Sequence, residues 1–141
     1  ALGGSFTYQD HQLTKSEGNP EFVGNELRRQ PNVLGTANLG YNNNKIDASF
    51  IYNYTGEKYS NDANTILLDA FGLASLNLGY TFTMSENLET IRLGARVYNL
   101  FDSEGVTEGS PRMANNQTEE AYFVGRPVLP TRLFLSATFN F

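Results

Sequence analysis

Residues Thr131 to Phe141 read TRLFLSATFNF, and their alternation decides what kind of fold the chain makes. Leu133, Leu135, Ala137, Phe139 and Phe141 fall on one side of an extended chain, and Arg132, Phe134, Ser136, Thr138 and Asn140 fall on the other. That is the period of a β-strand, whose successive side chains point to opposite faces. Globular domains usually finish in a frayed polar tail, because terminal residues seldom bury enough to offset their ordering entropy. Here the final residue belongs to the apolar face.

The same alternation recurs upstream. Val33 to Tyr41 sets Val33, Gly35, Ala37, Leu39 and Tyr41 against Leu34, Thr36, Asn38 and Gly40. Ile46 to Tyr54 sets Ile46, Ala48, Phe50, Tyr52 and Tyr54 against Asp47, Ser49, Ile51 and Asn53, and Ala74 to Phe82 repeats the pattern. Ile91 to Phe101 sets Ile91, Leu93, Ala95, Val97, Asn99 and Phe101 against Arg92, Gly94, Arg96 and Tyr98. With the opening segment through Tyr8, about six strands are predicted, and no helix competes.

The connections between them differ in length. The segments NNNK after Tyr41 and MSENLET after Thr83 are short and polar, as hairpin turns are. Those at Asp10 to Asn32, Gly56 to Asp69 and Asp102 to Pro130 are long, so short and long alternate strictly. In an up-and-down meander this places every short turn on one rim and every long loop on the other, as in transmembrane barrels.

Composition agrees with an all-β chain: Gly 13, Tyr 8 and Phe 10 suit strands and turns, and Cys 0 excludes a disulfide or thiolate-metal framework. A net charge of -5 argues against nucleic acid, which wants a basic stripe. No apolar run reaches the roughly 18 residues of a membrane helix. The chain opens ALGGSFTYQD, without a basic leader, and is expected to be the C-terminal piece of a longer protein whose targeting segment lies upstream.

Two architectures share this periodicity. A soluble β-sandwich or lipocalin-like binding module also alternates apolar and polar residues, because one face packs on a core. Strands of about nine to eleven residues, the length that crosses a bilayer at a tilt, favour the membrane alternative. So do the aromatic residues near the strand ends, namely Tyr41, Tyr52, Tyr54, Tyr80, Phe82, Phe139 and Phe141.

The segments GEKYSND (Gly56 to Asp62), RVYNLFD (Arg96 to Asp102) and the terminal FLSATFNF resemble the closing strands of the TonB-dependent receptors of Gram-negative outer membranes. EGSPR and YFVGRPVLPTR resemble the last long extracellular loop and the approach to the final strand of that family. The resemblance spans essentially the whole chain and implies that residues 1–141 are the C-terminal segment of an outer-membrane β-barrel. It implies a 22-stranded barrel plugged by an N-terminal domain. Such a barrel imports a scarce nutrient, such as a ferric siderophore or cobalamin, on energy relayed by TonB. The plug, the TonB box and most of the strands are absent from this sequence.

The resemblance further implies that Leu133, Leu135, Phe139 and Phe141 form the terminal signal read by the barrel assembly machinery. It implies contact with outer-membrane lipid and lipopolysaccharide, a TonB complex reached through the missing plug, and a small-molecule or metal-chelate substrate. No cofactor and no nucleic acid are expected.

Chemistry is otherwise sparse. Asp102, Glu104, Glu108, Glu119 and Glu120 could ligate a hard cation, but the spacing is not that of a calcium loop, and a solvated loop face is the alternative. The single His11 has no second His for a metal site or a hydrolytic triad, so an outer-membrane enzyme ranks third and no catalytic residue is assigned. Arg28, Arg29, Arg112 and Arg126 lie in the long loops, where they could meet an anionic substrate or lipopolysaccharide, with simple solvation as the alternative. Arg92 and Arg96 share the polar face of one strand, where they would face the lumen, paired with a plug carboxylate or with water.

Overall fold

The computed structural model describes residues 1–83, 90–112 and 122–140, the side chains of 111, 112, 122 and 123 excepted. Six long strands carry the fold: β1 (Leu2–Tyr8), β2 (Val33–Asn42), β3 (Ile46–Thr55), β6 (Phe71–Thr83), β7 (Thr90–Tyr98) and β10 (Arg132–Asn140). They form one antiparallel sheet in the order β1-β2-β3-β6-β7-β10. Each neighbour is the next long strand along the chain, so the sheet is an up-and-down meander with β1 and β10 at its edges. Two small hairpins lie inside the long connections: β4 (Lys58–Tyr59) with β5 (Leu67–Leu68), and β8 (Val106–Arg112) with β9 (Tyr122–Pro127). One 3-10 turn, Pro20–Phe22, is the only helical element among the described residues.

The turn between β2 and β3 shows why Asn is placed there. The Asn43 side-chain oxygen accepts from the backbone N–H of Lys45 at 2.9 Å and of Ile46 at 2.7 Å, and the Asn43 N–H donates to Ile46 O at 2.8 Å. The side chain mimics a backbone turn and fixes the hairpin register. The MSENLET turn lies outside the described residues except for its last one, Thr90.

Register carries the alternation of single strands into continuous rows. Leu2, Leu39, Phe50, Leu76, Val97 and Leu133 are successive cross-strand partners over the whole width of the sheet. Tyr41, Ala48, Leu78, Ala95 and Leu135 form the next row, followed by Ile46, Tyr80, Leu93 and Ala137, and then by Phe82, Ile91 and Phe139. Because the side-chain period is two, a slip of one residue in any pair would break these rows. One face is therefore apolar throughout. The other carries Ser49, Asn77, Arg96 and Phe134 in one row and Asp47, Gly79, Gly94 and Ser136 in the next.

Nothing in the described chain covers the apolar face. Leu2 is 84% and Leu135 76% exposed, and Leu39, Leu78, Leu93 and Leu133 are exposed as well. Among the described hydrophobic residues only Leu68 and Ala74 are buried. A soluble sandwich buries such a face against a second sheet about 10 Å away. No second large sheet is present among the described residues, so the soluble-module alternative lacks the layer it needs. Apart from Phe50 in the central row, the described aromatic residues of this face sort into two rows, Tyr41, Tyr80, Phe82 and Phe139 toward the short turns and Phe6, Tyr8, Tyr52 and Tyr54 toward the long loops.

The structure corrects one strand boundary. The alternation predicts a strand through Phe101, yet β7 stops at Tyr98 and Asn99 turns into the left-handed region at φ 50. Asn tolerates this conformation better than most residues. Its amide donates to Ser103 O at 2.9 Å and Leu129 O at 3.0 Å, and its side-chain oxygen accepts the Ser103 N–H at 2.9 Å. Asp102, also at φ 50, accepts the Thr131 N–H at 3.0 Å, while the Thr131 hydroxyl donates to Asn99 O at 2.6 Å. The NLFD segment is thus a bonded corner that brings the start of β10 back beside the end of β7.

Candidate functional site

The three long connections leave the same rim of the sheet and are bonded to one another. In the first, residues 9–32, the Asn25 amide donates to Asp62 O at 2.9 Å. Asn64 exchanges two hydrogen bonds with the Glu26 backbone, at 2.7 and 3.0 Å, and the Arg29 N–H donates to Tyr59 O at 2.6 Å. Arg28 meets Asp62 at 3.4 Å. Asn64 sits at φ 52 in a turn organised by Asn61, whose oxygen accepts from Thr65 and Ile66. The first loop therefore docks on the β4–β5 hairpin.

The β8–β9 hairpin completes this layer. Lys58 is buried, and its ammonium donates to Thr107 O at 2.6 Å. Arg29 reaches Ser110 Oγ at 2.8 Å and Glu108 at 3.3 Å, while Arg126 meets the other Glu108 oxygen at 3.7 Å. Partly exposed ion pairs of this kind contribute about 0 to 1 kcal/mol each. A cleft of about 750 Å³ opens between the second and third loops, lined by Leu67, Val106, Val128 and the acidic residues Asp69, Asp102 and Glu104, among others.

Burial lowers the Lys58 pKa from 10.5, and the nearby Glu108 charge opposes that shift in part. The folded loop thus binds this proton less tightly than the unfolded chain does. The resulting penalty is present at every pH below the folded pKa and is relieved as pH rises toward 10.5. Limited proteolysis of the loop layer is expected to slow from neutral to alkaline pH, and Lys58→Met should abolish that trend.

On the polar face two arginines of β7 have different surroundings. Arg92 reaches across Gly79 to Asp47 on β3, its Nη2 lying 2.7 Å from both carboxylate oxygens. A Cβ on Gly79 would collide with both partners, so the missing side chain is what lets the pair form. Gly79→Leu is expected to separate Arg92 from Asp47 at a cost of about 1 kcal/mol, read as the loss of coupling in a double-mutant cycle with Arg92→Met. Arg96 instead has neutral partners. Its Nε donates to Asn77 Oδ1, whose amide donates in turn to Ser49 Oγ at 3.0 Å, and its Nη1 donates to Tyr98 Oη at 3.1 Å.

The family model described as TonB dependent receptor-like, beta-barrel, matches residues 1–100 of the chain. The chain belongs to the TonB-dependent receptor β-barrel family. No curated protein matches the chain. Members of this family are outer-membrane transporters of Gram-negative bacteria that work with TonB, and they are not enzymes.

Within this receptor segment the residues singled out by sequence fall in three places. Leu133, Leu135 and Phe139 stand on the apolar face of β10 at the sheet edge, while Phe141 lies outside the described residues. Arg92 and Arg96 share the polar face, as their spacing requires. Arg28, Arg29 and Arg126 sit in the loop layer, where each meets a carboxylate rather than standing alone. Arg112 pairs through its backbone with Tyr122, and its side chain is outside the described set. Of the acidic residues, Asp102 and Glu104 line the loop cleft together with Asp69. Glu108 takes two arginines and Asp102 takes Thr131, Glu119 and Glu120 lie outside the described residues, and no group of three metal-ligating side chains occurs among those described.

Sequence reasoning missed Lys58, Asp47, Gly79, Asn77 and Asn99. The partners of Arg29 and Arg92 lie 79 and 45 residues away along the chain (108 − 29 and 92 − 47), beyond any local pattern.

Proposed function

We propose that this segment supplies closing strands of an outer-membrane receptor that imports a scarce nutrient, a ferric siderophore or cobalamin, with energy relayed by TonB through an N-terminal plug. The observation that carries this reading is the uncovered apolar band between two aromatic rows. From Ile46 to Tyr54 on β3 it is eight residue steps long, about 26 Å along the strand at roughly 3.3 Å per step, or about 19 to 22 Å along the membrane normal at the roughly 35–45° tilt of such barrels, which lies within their ~25 Å lipid-facing band. An open sheet edge in lipid leaves backbone groups unsatisfied, so β1 and β10 need further strands of the same barrel. Leu133, Leu135, Phe139 and Phe141 serve the assembly machinery in this reading, and lipid and lipopolysaccharide surround the apolar face.

Topology gives a direct test. Gly18 is exposed at φ 89 with open space around it, and the short turn holds Asn43 and Asn44. In the full receptor, a tag inserted after Gly18 should bind antibody on intact cells, and one inserted after Asn44 should bind only after the outer membrane is opened. The reverse pattern sinks the orientation. Substrate class is tested by the growth of a receptor-deleted strain on ferric siderophores and on cobalamin, with and without TonB. TonB-independent uptake would contradict the transport mechanism.

A further inference from the structure

We infer that the Arg96, Tyr98 and Arg132 group on the polar face is a binding site for a small molecule carrying a carboxylate. The inference rests on the reading that this face lines the receptor lumen. Cross-strand pairing sets Arg132 directly opposite Tyr98, and both guanidinium groups lie over the Tyr98 ring, Arg96 at 5.8 Å and Arg132 at 5.5 Å from its centre. Phe134 meets the same ring edge-on at 5.7 Å. Beside Arg96 and Tyr98 is a hollow of about 640 Å³, lined also by Asn77 and Phe134 and by the ion-paired Arg92 and Asp47, among others, while Arg132 stands outside its lining. That volume lies within the range of small-ligand pockets.

Charge distinguishes this group from its neighbour. Arg92 is matched by Asp47, whereas no carboxylate among the described residues lies within ion-pair distance of Arg96 or Arg132. Arg96 is nonetheless held, through Asn77 and Ser49 on one side and the Tyr98 hydroxyl on the other. A guanidinium fixed by neutral partners has its charge unmatched and has donors left for a bidentate contact with a planar carboxylate. The Tyr98 and Phe134 rings provide an apolar wall for the body of the same molecule. Benzoate reproduces both parts of that chemistry, and benzamide keeps the ring without the charge.

The full receptor in lipid vesicles is treated with phenylglyoxal, and modification of each arginine is followed by peptide mass spectrometry. The expected result is that benzoate slows modification of Arg96 and Arg132 several-fold, benzamide does not, and Arg92 is unaffected by either. Asn77→Ala should remove the benzoate protection of Arg96 and leave Arg92 as before. Equal protection by benzamide would overturn the carboxylate assignment. So would slow modification of Arg96 and Arg132 before any anion is added, because a polypeptide carboxylate would then already fill the site. Ser49→Cys and Leu78→Cys receptors, labelled with a water-soluble maleimide, check the underlying reading separately. Labelling of Leu78→Cys in place of Ser49→Cys would overturn the lumen assignment, and the site with it.

Discussion

The Leu76→Arg substitution is expected to destabilise the inserted receptor barrel by about 2 to 4 kcal/mol, the cost of a cation facing lipid at the bilayer midplane. Leu76 lies in the row of Leu39, Phe50 and Val97, between the two aromatic rows of the apolar face. Leu93 is paired with Tyr80, an aromatic residue of the short-turn row, so Leu93→Arg should cost less, falling toward about 0 to 1 kcal/mol as the interface is approached. Asn53→Arg, on the polar face, loses one hydrogen bond from Thr36 and should stay within about 1 kcal/mol of the parent. The measurement is urea unfolding of the reconstituted receptor, with all three variants compared in one lipid. Equal costs at positions 76 and 53 would mean that the faces are assigned wrongly.

The faces were the most legible part of this chain because they follow from local chemistry. A two-residue period needs only adjacent residues to be visible, and the pairing of Leu2 through Leu133 in one row follows once each strand carries it. The alternation of short and long connections likewise needs nothing beyond counting. The strands KY and LL of the β4–β5 hairpin are too short for any period to show, so the sequence marks Gly56 to Asp69 only as a long connection. Arg92 and Arg96 were indistinguishable at four residues apart on one face. What separates them is a gap at Gly79 that opens a path to Asp47, two strands away in the sheet. Periodicity failed most clearly at Asn99, which occupies the right parity for the apolar face and yet leaves the sheet, because its partners Ser103 and Leu129 compensate for the lost ladder.

That corner supports the second large expectation, a loss of about 3 to 5 kcal/mol for Asn99→Ala. Asn99 is 5% exposed, so its partners cannot turn to water when the amide is removed. Three side-chain hydrogen bonds vanish, each contributing about 0.5 to 1.5 kcal/mol, and the Ser103 N–H and the Leu129 carbonyl lose the partner the amide gave them. Alanine at a φ of 50 adds roughly 1 kcal/mol of backbone strain. Asn99→Gly removes the strain and keeps the hydrogen-bond loss, so it should fall about 1 kcal/mol short of the alanine cost. Asn99→Asp keeps the acceptor for the Ser103 N–H but sets a carboxylate against the Ser103 and Leu129 carbonyls, and should be no better than glycine. The corner holds Thr131 beside Asn99 and so fixes where β10 begins. Its loss should therefore also slow the pairing of β10 with β7, read as delayed barrel formation by cold gel mobility. An Asn99→Gly receptor as stable as the parent would show that glycine's backbone freedom alone makes this corner, and that the amide network contributes nothing.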